Sequence, residues 1–250
     1  MANARRDALG KAVARLEVVR PGEERRETVA STVLWPWVSL GAKNDLPIER
    51  LAQLAQLTVA ELRDPGGRFP QVIANRVAEI AYQHVGSGAA MEAAKLVEPG
   101  HFALIEMVAR TSPTVSRALA LTCQYFPLVQ DDARLVHQIR ADGTQSCRFV
   151  LPTDFVLHHG YVELIFGVIV LGMRRETEVK DASPIEVWFE HSAPEDRTTF
   201  DEVFRSHVRL DMPENHLLLD RETAALALSR KNSAVHAAAV RAAADLLREH

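Results

Sequence analysis

The sequence is poor in cysteine and in long apolar runs, and each shortage excludes a class of protein. Its 250 residues include only two cysteines, Cys123 and Cys147, which form no CxxC pair. We therefore expect two buried free thiols, no disulfide framework and a reducing, cytoplasmic environment. The most apolar stretch, Tyr161 to Met173, contains Glu163 and is shorter than the roughly 20 residues that a membrane span requires. It predicts a buried helix and no membrane partner.

Positive charge is also scarce. The chain has 29 Lys and Arg residues against 33 Asp and Glu residues, a formal net charge of -4 at pH 7. Because a domain that grips nucleic acid usually carries a basic patch, we predict that these residues alone do not bind DNA. No apolar run follows the N-terminal Met1-Ala-Asn-Ala-Arg-Arg-Asp, so we expect no signal peptide.

The motifs of common enzyme and cofactor sites are missing as well. The sequence contains no GxxxxGK[ST], GxSxG or HExxH pattern. The Gly86-Ser-Gly88 stretch lacks the third glycine of a dinucleotide-binding loop and follows a predicted helix. We therefore predict no catalytic residues, no metal site and no cofactor, so that the chain is not an enzyme.

The histidines keep two alternatives open. An enzyme acting on small hydrophobic molecules would require His191, Glu163 and a Ser or Cys to converge in one cleft. A haem-type sensor would use His101 or His159 as the ligand. The neighbours His158 and His159 are interpreted as two positions of one helix, pointing about 100° apart and therefore unable to share an ion.

Apolar periodicity predicts helices first and then strands interleaved with helices. We expect a first helix from about Glu27 to Leu40. Two strand-like runs flank Asp142-Gly143, which is a strong hairpin signal. Ser233 is expected to cap the last, Ala-rich helix. The sequence therefore predicts an α+β fold: a helix-rich N-terminal part packed with a small, mostly antiparallel sheet, ending in a C-terminal helix.

Side chains with an apolar body and a polar end are the candidates for contacting a small ligand. Aromatic residues at helical spacing also commonly fill a core, so both interpretations stay open for each of them. We predict ligand contacts from Trp35, Trp37, His101, Tyr125, Tyr161 and Trp188.

A narrow apolar stripe runs along the last helix. Val235, Ala239, Ala242 and Leu246 follow one another at spacings of four, three and four residues. This spacing is typical of a seam at which two helices pack closely. We predict a linker or dimer helix, with packing against its own domain as the alternative.

Three stretches carry a family pattern in a fixed order. Residues 100–119, followed by Tyr125-Phe126-Pro127, match a glycine, a hydrophobic run, S-P-T-L-x-E-A-L and a tyrosine, with Arg117 at the glutamate. Residues 184–194 match the strand motif V-x-F-x-H-x-x-P, and residues 200–219 place Asn215 at a characteristic asparagine. The ordered set resembles the N-terminal domain of AraC/XylS-type transcription regulators, in the arabinose-binding-type branch.

This resemblance implies the effector-binding and dimerisation half of a bacterial regulator. A small organic effector would shift a homodimer between arrangements, and DNA would be contacted only through a C-terminal helix-turn-helix region that this sequence lacks. The implied division is a flexible or frayed lead over residues 1–26, an effector-binding and dimerisation domain over 27–230, and a linker or dimer helix over 231–250.

Overall fold

The structure, a computed structural model, describes residues 28–152, 155–192 and 196–249. Helices dominate its first half, which contains only two three-residue strands among the described residues, and the five strands of the larger sheet follow later, which confirms the predicted α+β class. The predicted lead-in, residues 1–26, lies outside the described residues. In the part of the chain that is described, no helix combines the length and the apolar character needed to cross a bilayer.

The described residues form eleven α-helices and two short 3-10 helices, Ser31–Val33 and Phe126–Leu128. In chain order, the α-helices are α1 Trp35–Lys43, α2 Ile48–Ala55, α3 Val59–Arg63, α4 Gln71–Val85, α5 Ala89–Lys95, α6 Ala103–Arg110, α7 Val115–Tyr125, α8 His159–Thr177, α9 Thr198–Phe204, α10 Arg221–Ala225 and α11 Ser233–Glu249.

Seven strands of the described residues form two sheets. In chain order, they are β1 Thr28–Ala30, β2 Arg68–Pro70, β3 Arg134–Ile139, β4 Gln145–Val150, β5 Glu186–Trp188, β6 His207–Arg209 and β7 Asn215–Leu219. The first two strands pair antiparallel. The other five follow the order β3-β4-β7-β5-β6, in which only the β5/β6 pair is parallel.

The turn between β3 and β4 is the hairpin that the sequence predicts. Gly143 has a φ of 86°, a left-handed value that glycine adopts without strain. The Asp142 carboxylate accepts a hydrogen bond of 2.9 Å from the Thr144 backbone N–H. Together they fix the register in which Arg134 lies opposite Val150.

One face of the larger sheet is apolar and faces helices. Leu135 lies opposite Phe149, and Leu217 lies between Cys147 and Val187 on neighbouring strands. All five side chains are buried. The other face is polar, as the two-residue alternation of a half-covered strand requires; its residues include Arg148, Glu186, Trp188, Arg209 and His216.

Helix α7 packs on this apolar face. The Cys123 sulfur of α7 lies 3.7 Å from the Cys147 sulfur of β4, and both thiols are buried and free. Helix α8, the most apolar stretch of the sequence, packs on α5. Gly167 permits a close approach there, since a Cβ at this position would lie 3.0 Å from the Ala94 Cβ.

The predicted first helix from Glu27 to Leu40 is wrong at its start. Thr28–Ala30 is strand β1, and the α-helix begins only at Trp35. The reason is long-range pairing, because β1 lies against β2, and Arg68 of β2 donates a 2.7 Å hydrogen bond from Nε to the Thr28 hydroxyl. Local periodicity does not register a partner 40 residues away.

Candidate functional site

A cavity of about 150 Å³ lies between α6, α7 and α8, and residues of β3 and β7 line it from the sheet. Its walls are almost entirely hydrocarbon. The apolar residues that line it are Val97, Phe102, Ile105, Ala109, Val115, Ala118, Leu119, Phe126, Val129, Leu135, Ile165, Val168, Ile169, Met173, Leu219 and Leu228, together with Gly172. A largely apolar concavity with few polar groups is the usual form of a small-molecule site.

Gly172 borders open space on the α8 side of the cavity. A Cβ built on it would meet no atom within 4 Å, apart from its own helix backbone and chain neighbours. Glycine in a helix interior costs roughly 1 kcal/mol relative to alanine, so its presence here is not explained by helix formation. What the missing side chain provides is room in the cavity.

Four charged residues form the polar end of the cavity. The Glu176 side chain is 6% exposed, and its Oε1 accepts a 3.0 Å hydrogen bond from Arg175 Nε and lies 3.0 Å from Arg110 Nε. Glu106 lies 3.4 Å from Arg110 Nη1 and 3.8 Å from Arg175 Nη2. Among the lining residues, two cations thus face two anions, and their charges sum to zero.

Glu106 also fixes the loop before α6. Its two carboxylate oxygens accept hydrogen bonds from the backbone N–H of Gly100 at 2.9 Å and of Phe102 at 3.3 Å. Phe102 lines the cavity. The charged end therefore also positions part of the apolar wall.

Thr122 is the one uncharged polar side chain among the lining residues. It is half-buried on α7, and its hydroxyl has no hydrogen-bond partner among the described residues. A hydroxyl both donates and accepts, so Thr122 can serve one polar group of a bound molecule.

The segment that leads into α11 is attached to the walls of this cavity. Leu228 lines the cavity, and its backbone N–H contacts the Pro113 carbonyl at 3.3 Å, just before α7. The next residue, Ser229, donates a 2.7 Å hydrogen bond to the Glu176 carbonyl at the end of α8. Arg230 Nε lies 3.6 Å from Glu176 Oε2. One residue, Glu176, thus touches both the cavity and the exit segment.

The start of α11 is held by the end of α6. The Asn232 N–H donates to the Thr111 carbonyl at 3.2 Å, and the Thr111 hydroxyl lies 3.2 Å from His236 Nδ1. Further along, the Tyr125 hydroxyl of α7 donates to the Val240 carbonyl at 3.3 Å. All three cavity helices therefore contact the C-terminal helix or the segment before it.

The six residues predicted to touch a ligand lie elsewhere, and none lines the cavity. Trp35 and His101 pack edge to face with ring centroids 5.6 Å apart, and burial lowers the pKa of His101. Trp37 and Tyr161, both fully buried, pack edge to face at 5.9 Å. The structure therefore forms two aromatic pairs from these four residues.

The remaining two are apart from those pairs and from each other. Tyr125 lies under α11, as described above. Trp188, on the polar face of the sheet, donates an indole hydrogen bond of 2.8 Å to Glu186 and packs edge to face on His216 at 5.2 Å. For all six, ligand contact stays a prediction.

A second polar cluster surrounds Glu163, which is 1% exposed on α8. The Tyr82 hydroxyl donates to one carboxylate oxygen at 2.5 Å, and His191 Nε2 lies 2.9 Å from the other. Burial by itself lowers the pKa of His191, but the hydrogen bond and negative charge of Glu163 outweigh it and raise that pKa. Burial and the Glu163 charge together raise the pKa of Tyr82 well above its usual value.

The placement of His158 and His159 on one helix is corrected by the structure. His158 precedes α8 and caps it, accepting a 3.1 Å hydrogen bond from the Gly160 N–H. Because its backbone is extended, its ring stacks on His159 with centroids 4.5 Å apart. A hydrogen bond from His158 lowers the pKa of Glu79 to about 2. Within the described residues, no group of three or more His, Cys, Asp or Glu side chains could hold a metal ion.

The predicted seam of α11 is divided between two faces. Ala239 is buried, together with Ala243, so this side of the helix covers its own domain. Val235 and Leu246 are 42% and 48% exposed, and Ala242 is exposed beside them. Three of the four seam residues therefore remain open to a partner.

The cavity residues themselves were missed from the sequence. They are ordinary aliphatic residues at helical spacing, which is also the pattern of a solid core. The available signal was Gly172, a glycine in the middle of an apolar helix with no turn nearby.

The fold and the cavity together define an α+β domain with room for a small molecule. The family model described as the arabinose-binding domain of AraC transcription regulator, N-terminal, matches residues 46–228. The chain belongs to this family, which is one of transcription regulators and not of enzymes. The resemblance seen in the sequence is thereby confirmed.

A solved structure supports the same fold. The crystal structure of the transcriptional regulator CdpR from Pseudomonas aeruginosa matches with a TM-score of 0.54 at 12% identity, covering 77% of this chain and 59% of that chain. At this identity the likeness concerns the fold alone. The chain thus spans about three fifths of the length of that regulator. A search among curated proteins gave no match.

Proposed function

We propose that the chain is the effector-sensing and dimerisation part of a cytoplasmic transcription regulator, with the cavity between α6, α7 and α8 as the effector site. The observation that carries this proposal is the attachment of the exit segment to that cavity. Leu228 forms part of the wall, and Glu176 connects the charged end to Ser229 and Arg230. A molecule that changes the spacing of these helices changes the position of α11 with them.

The mechanism is a population shift. An effector moves the equilibrium between two α11 positions only by the difference in its affinity for them. We propose that the two positions differ in the pairing of Glu176, which in this structure contacts Arg110 and Arg175 of the cavity and Arg230 of the exit segment at the same time. The effector would favour one set of these pairs.

The test is a thermal-denaturation screen of a chemically diverse small-molecule library against the chain and its Gly172→Leu variant. A ligand that binds only the folded protein raises the midpoint of unfolding. We expect compounds that stabilise the parent chain and leave Gly172→Leu unchanged, because leucine occupies the space. Gly172→Ala, which adds one methyl group, is the matched control and should keep most of the response.

Two results would contradict the proposed site. Compounds that stabilise the parent chain and Gly172→Leu equally bind somewhere else. The absence of any stabilising compound leaves the cavity without a ligand and removes the basis for sensing.

Dimerisation is proposed through the exposed side of α11. Val235, Ala242 and Leu246 lie on the side turned away from the domain, and two of them are large apolar residues in water. Light scattering should give a dimer for the parent chain and a monomer for Leu246→Glu. Ile139→Glu, at a 63% exposed apolar position on β3, is the control and should leave the mass unchanged. A Leu246→Glu variant that stays dimeric excludes this seam.

Contact with DNA is assigned to a region outside these residues. The formal net charge of -4 gives the chain little attraction for phosphate, and the chain spans only part of the length of the similar regulator. Electrophoretic mobility shifts with this chain alone should show no sequence-specific complex. A tight, specific complex would contradict the assignment.

A further inference from the structure

We propose that the effector is a neutral, ring-sized apolar molecule with a single hydrogen-bonding group, which Thr122 anchors; this rests on the effector site proposed above. Size is the first argument. At about 150 Å³ the cavity has the volume at which an apolar protein cavity takes up one benzene-sized molecule. Seventeen of its twenty-two lining residues offer only hydrocarbon or a glycine backbone.

The charged end argues for a neutral molecule. A charged ligand group that leaves water must find an opposite charge to offset the cost of desolvation. Among the lining residues, Glu106, Arg110, Arg175 and Glu176 already pair with one another and sum to zero. The further cation on Glu176, Arg230, does not line the cavity and its side chain is 67% exposed. Arg175 also donates from Nη1 to the Val97 carbonyl at 3.1 Å. A carboxylate or an ammonium group would therefore have to break an existing pair.

The small number of free hydrogen-bonding groups in the lining argues against a sugar as the ligand, despite the name of the family model. Each buried hydroxyl of a sugar needs a hydrogen-bond partner, and an unmade bond costs more than a typical made one contributes. Both oxygens of Glu106 accept backbone N–H groups of the preceding loop. Arg110 Nε and Glu176 Oε2 make no hydrogen bond but lie in ion pairs, at 3.0 Å from Glu176 Oε1 and 3.6 Å from Arg230 Nε. Thr122 is left as the lining polar side chain with neither a hydrogen bond nor an ion pair among the described residues. One anchor suits one polar group.

Benzyl alcohol and toluene form a matched pair of probes, since they differ by one hydroxyl. Their dissociation constants can be measured by NMR titration against the parent chain and Thr122→Val, which has nearly the same shape and loses no internal hydrogen bond. We expect Thr122→Val to weaken benzyl alcohol binding about fivefold, the equivalent of one neutral hydrogen bond, and to leave toluene binding unchanged. Equal losses for both probes would show that Thr122 does not recognise the hydroxyl.

Titrations with benzoate, benzylamine and L-arabinose test whether the site accepts an anion, a cation or a sugar. We expect no binding of these three at concentrations that saturate the site with benzyl alcohol. We also expect Gly172→Leu to abolish binding of benzyl alcohol and toluene, whereas Gly172→Ala retains it. Circular dichroism and the midpoint of unfolding show for each variant whether it is folded.

The outcomes separate this inference from the function on which it rests. Binding of arabinose, benzoate or benzylamine that Gly172→Leu abolishes overturns the ligand class and keeps the effector site. Absence of binding by benzyl alcohol and toluene overturns the ligand class as well. The effector site itself fails only if the wider library also yields no compound that Gly172→Leu excludes.

Discussion

Two glycines of the same helix provide a test of the cavity that needs no ligand. A Cβ at Gly172 would meet no atom within 4 Å, whereas a Cβ at Gly167 would lie 3.0 Å from the Ala94 Cβ and 3.2 Å from the Met91 Cε. Both substitutions to alanine gain about 1 kcal/mol from helix propensity. At Gly172 nothing opposes this gain. At Gly167 overpacking costs about 1–3 kcal/mol, which offsets or exceeds it.

Gly172→Ala is therefore expected to raise the free energy of unfolding by about 1 kcal/mol relative to the parent chain. This is equivalent to a rise of roughly 2–4 °C in Tm for a protein of this size. Gly167→Ala is expected to lower the free energy of unfolding by up to about 2 kcal/mol relative to the parent chain. Urea denaturation followed by circular dichroism measures both on one scale. A loss of stability in Gly172→Ala, or equal shifts in both variants, would refute the open space beside Gly172.

Two further predictions concern buried ion pairs. The raised pKa of His191 means that its pairing with Glu163 stabilises the fold fully below the unfolded-state pKa of about 6.5 and loses this effect as pH rises through the folded-state pKa. The stability difference between the parent chain and His191→Gln should accordingly shrink from pH 6 to higher pH in urea titrations, and a constant difference would contradict the pairing. Glu176→Gln should cost about 2 kcal/mol, because it leaves Arg110 partly buried without its main counter-charge. The control Glu214→Gln, from a half-exposed pair, should cost about 0.5 kcal/mol or less, and equal losses would show that burial of Glu176 has no energetic role.

The sequence predicts the elements whose signals are local. The hairpin follows from Asp142-Gly143, because that dipeptide supplies both the left-handed residue and the side-chain acceptor. The last helix lies where it was predicted, but its cap is one residue earlier: Asn232, not Ser233, accepts a 3.1 Å hydrogen bond from the Val235 N–H through its side chain. The ordered family motifs led to the right family. The start of the chain was assigned incorrectly because β1 depends on β2, which local patterns do not include.

The site was less accessible to prediction for a physical reason. Large aromatic residues attract attention as ligand contacts, yet Trp37 and Tyr161 fill the core, where their area contributes most to burial. A cavity, by contrast, is an empty space between residues such as Ile165 and Leu219. In the sequence, these aliphatic residues cannot be distinguished from residues of a solid core. His191 and Glu163 do converge, but the third group is the Tyr82 hydroxyl and not the Ser or Cys that the enzyme alternative requires.

The tight packing at Gly167 gives α8 a role that its composition does not suggest. With its backbone pressed against α5, this helix cannot retreat when something enters beside Gly172. The displacement is then directed away from α8, into α6 and α7, the two helices that hold α11 through Thr111 and Tyr125. We therefore expect a small volume change in the pocket to move α6 and α7, and α11 with them, more than it moves α8.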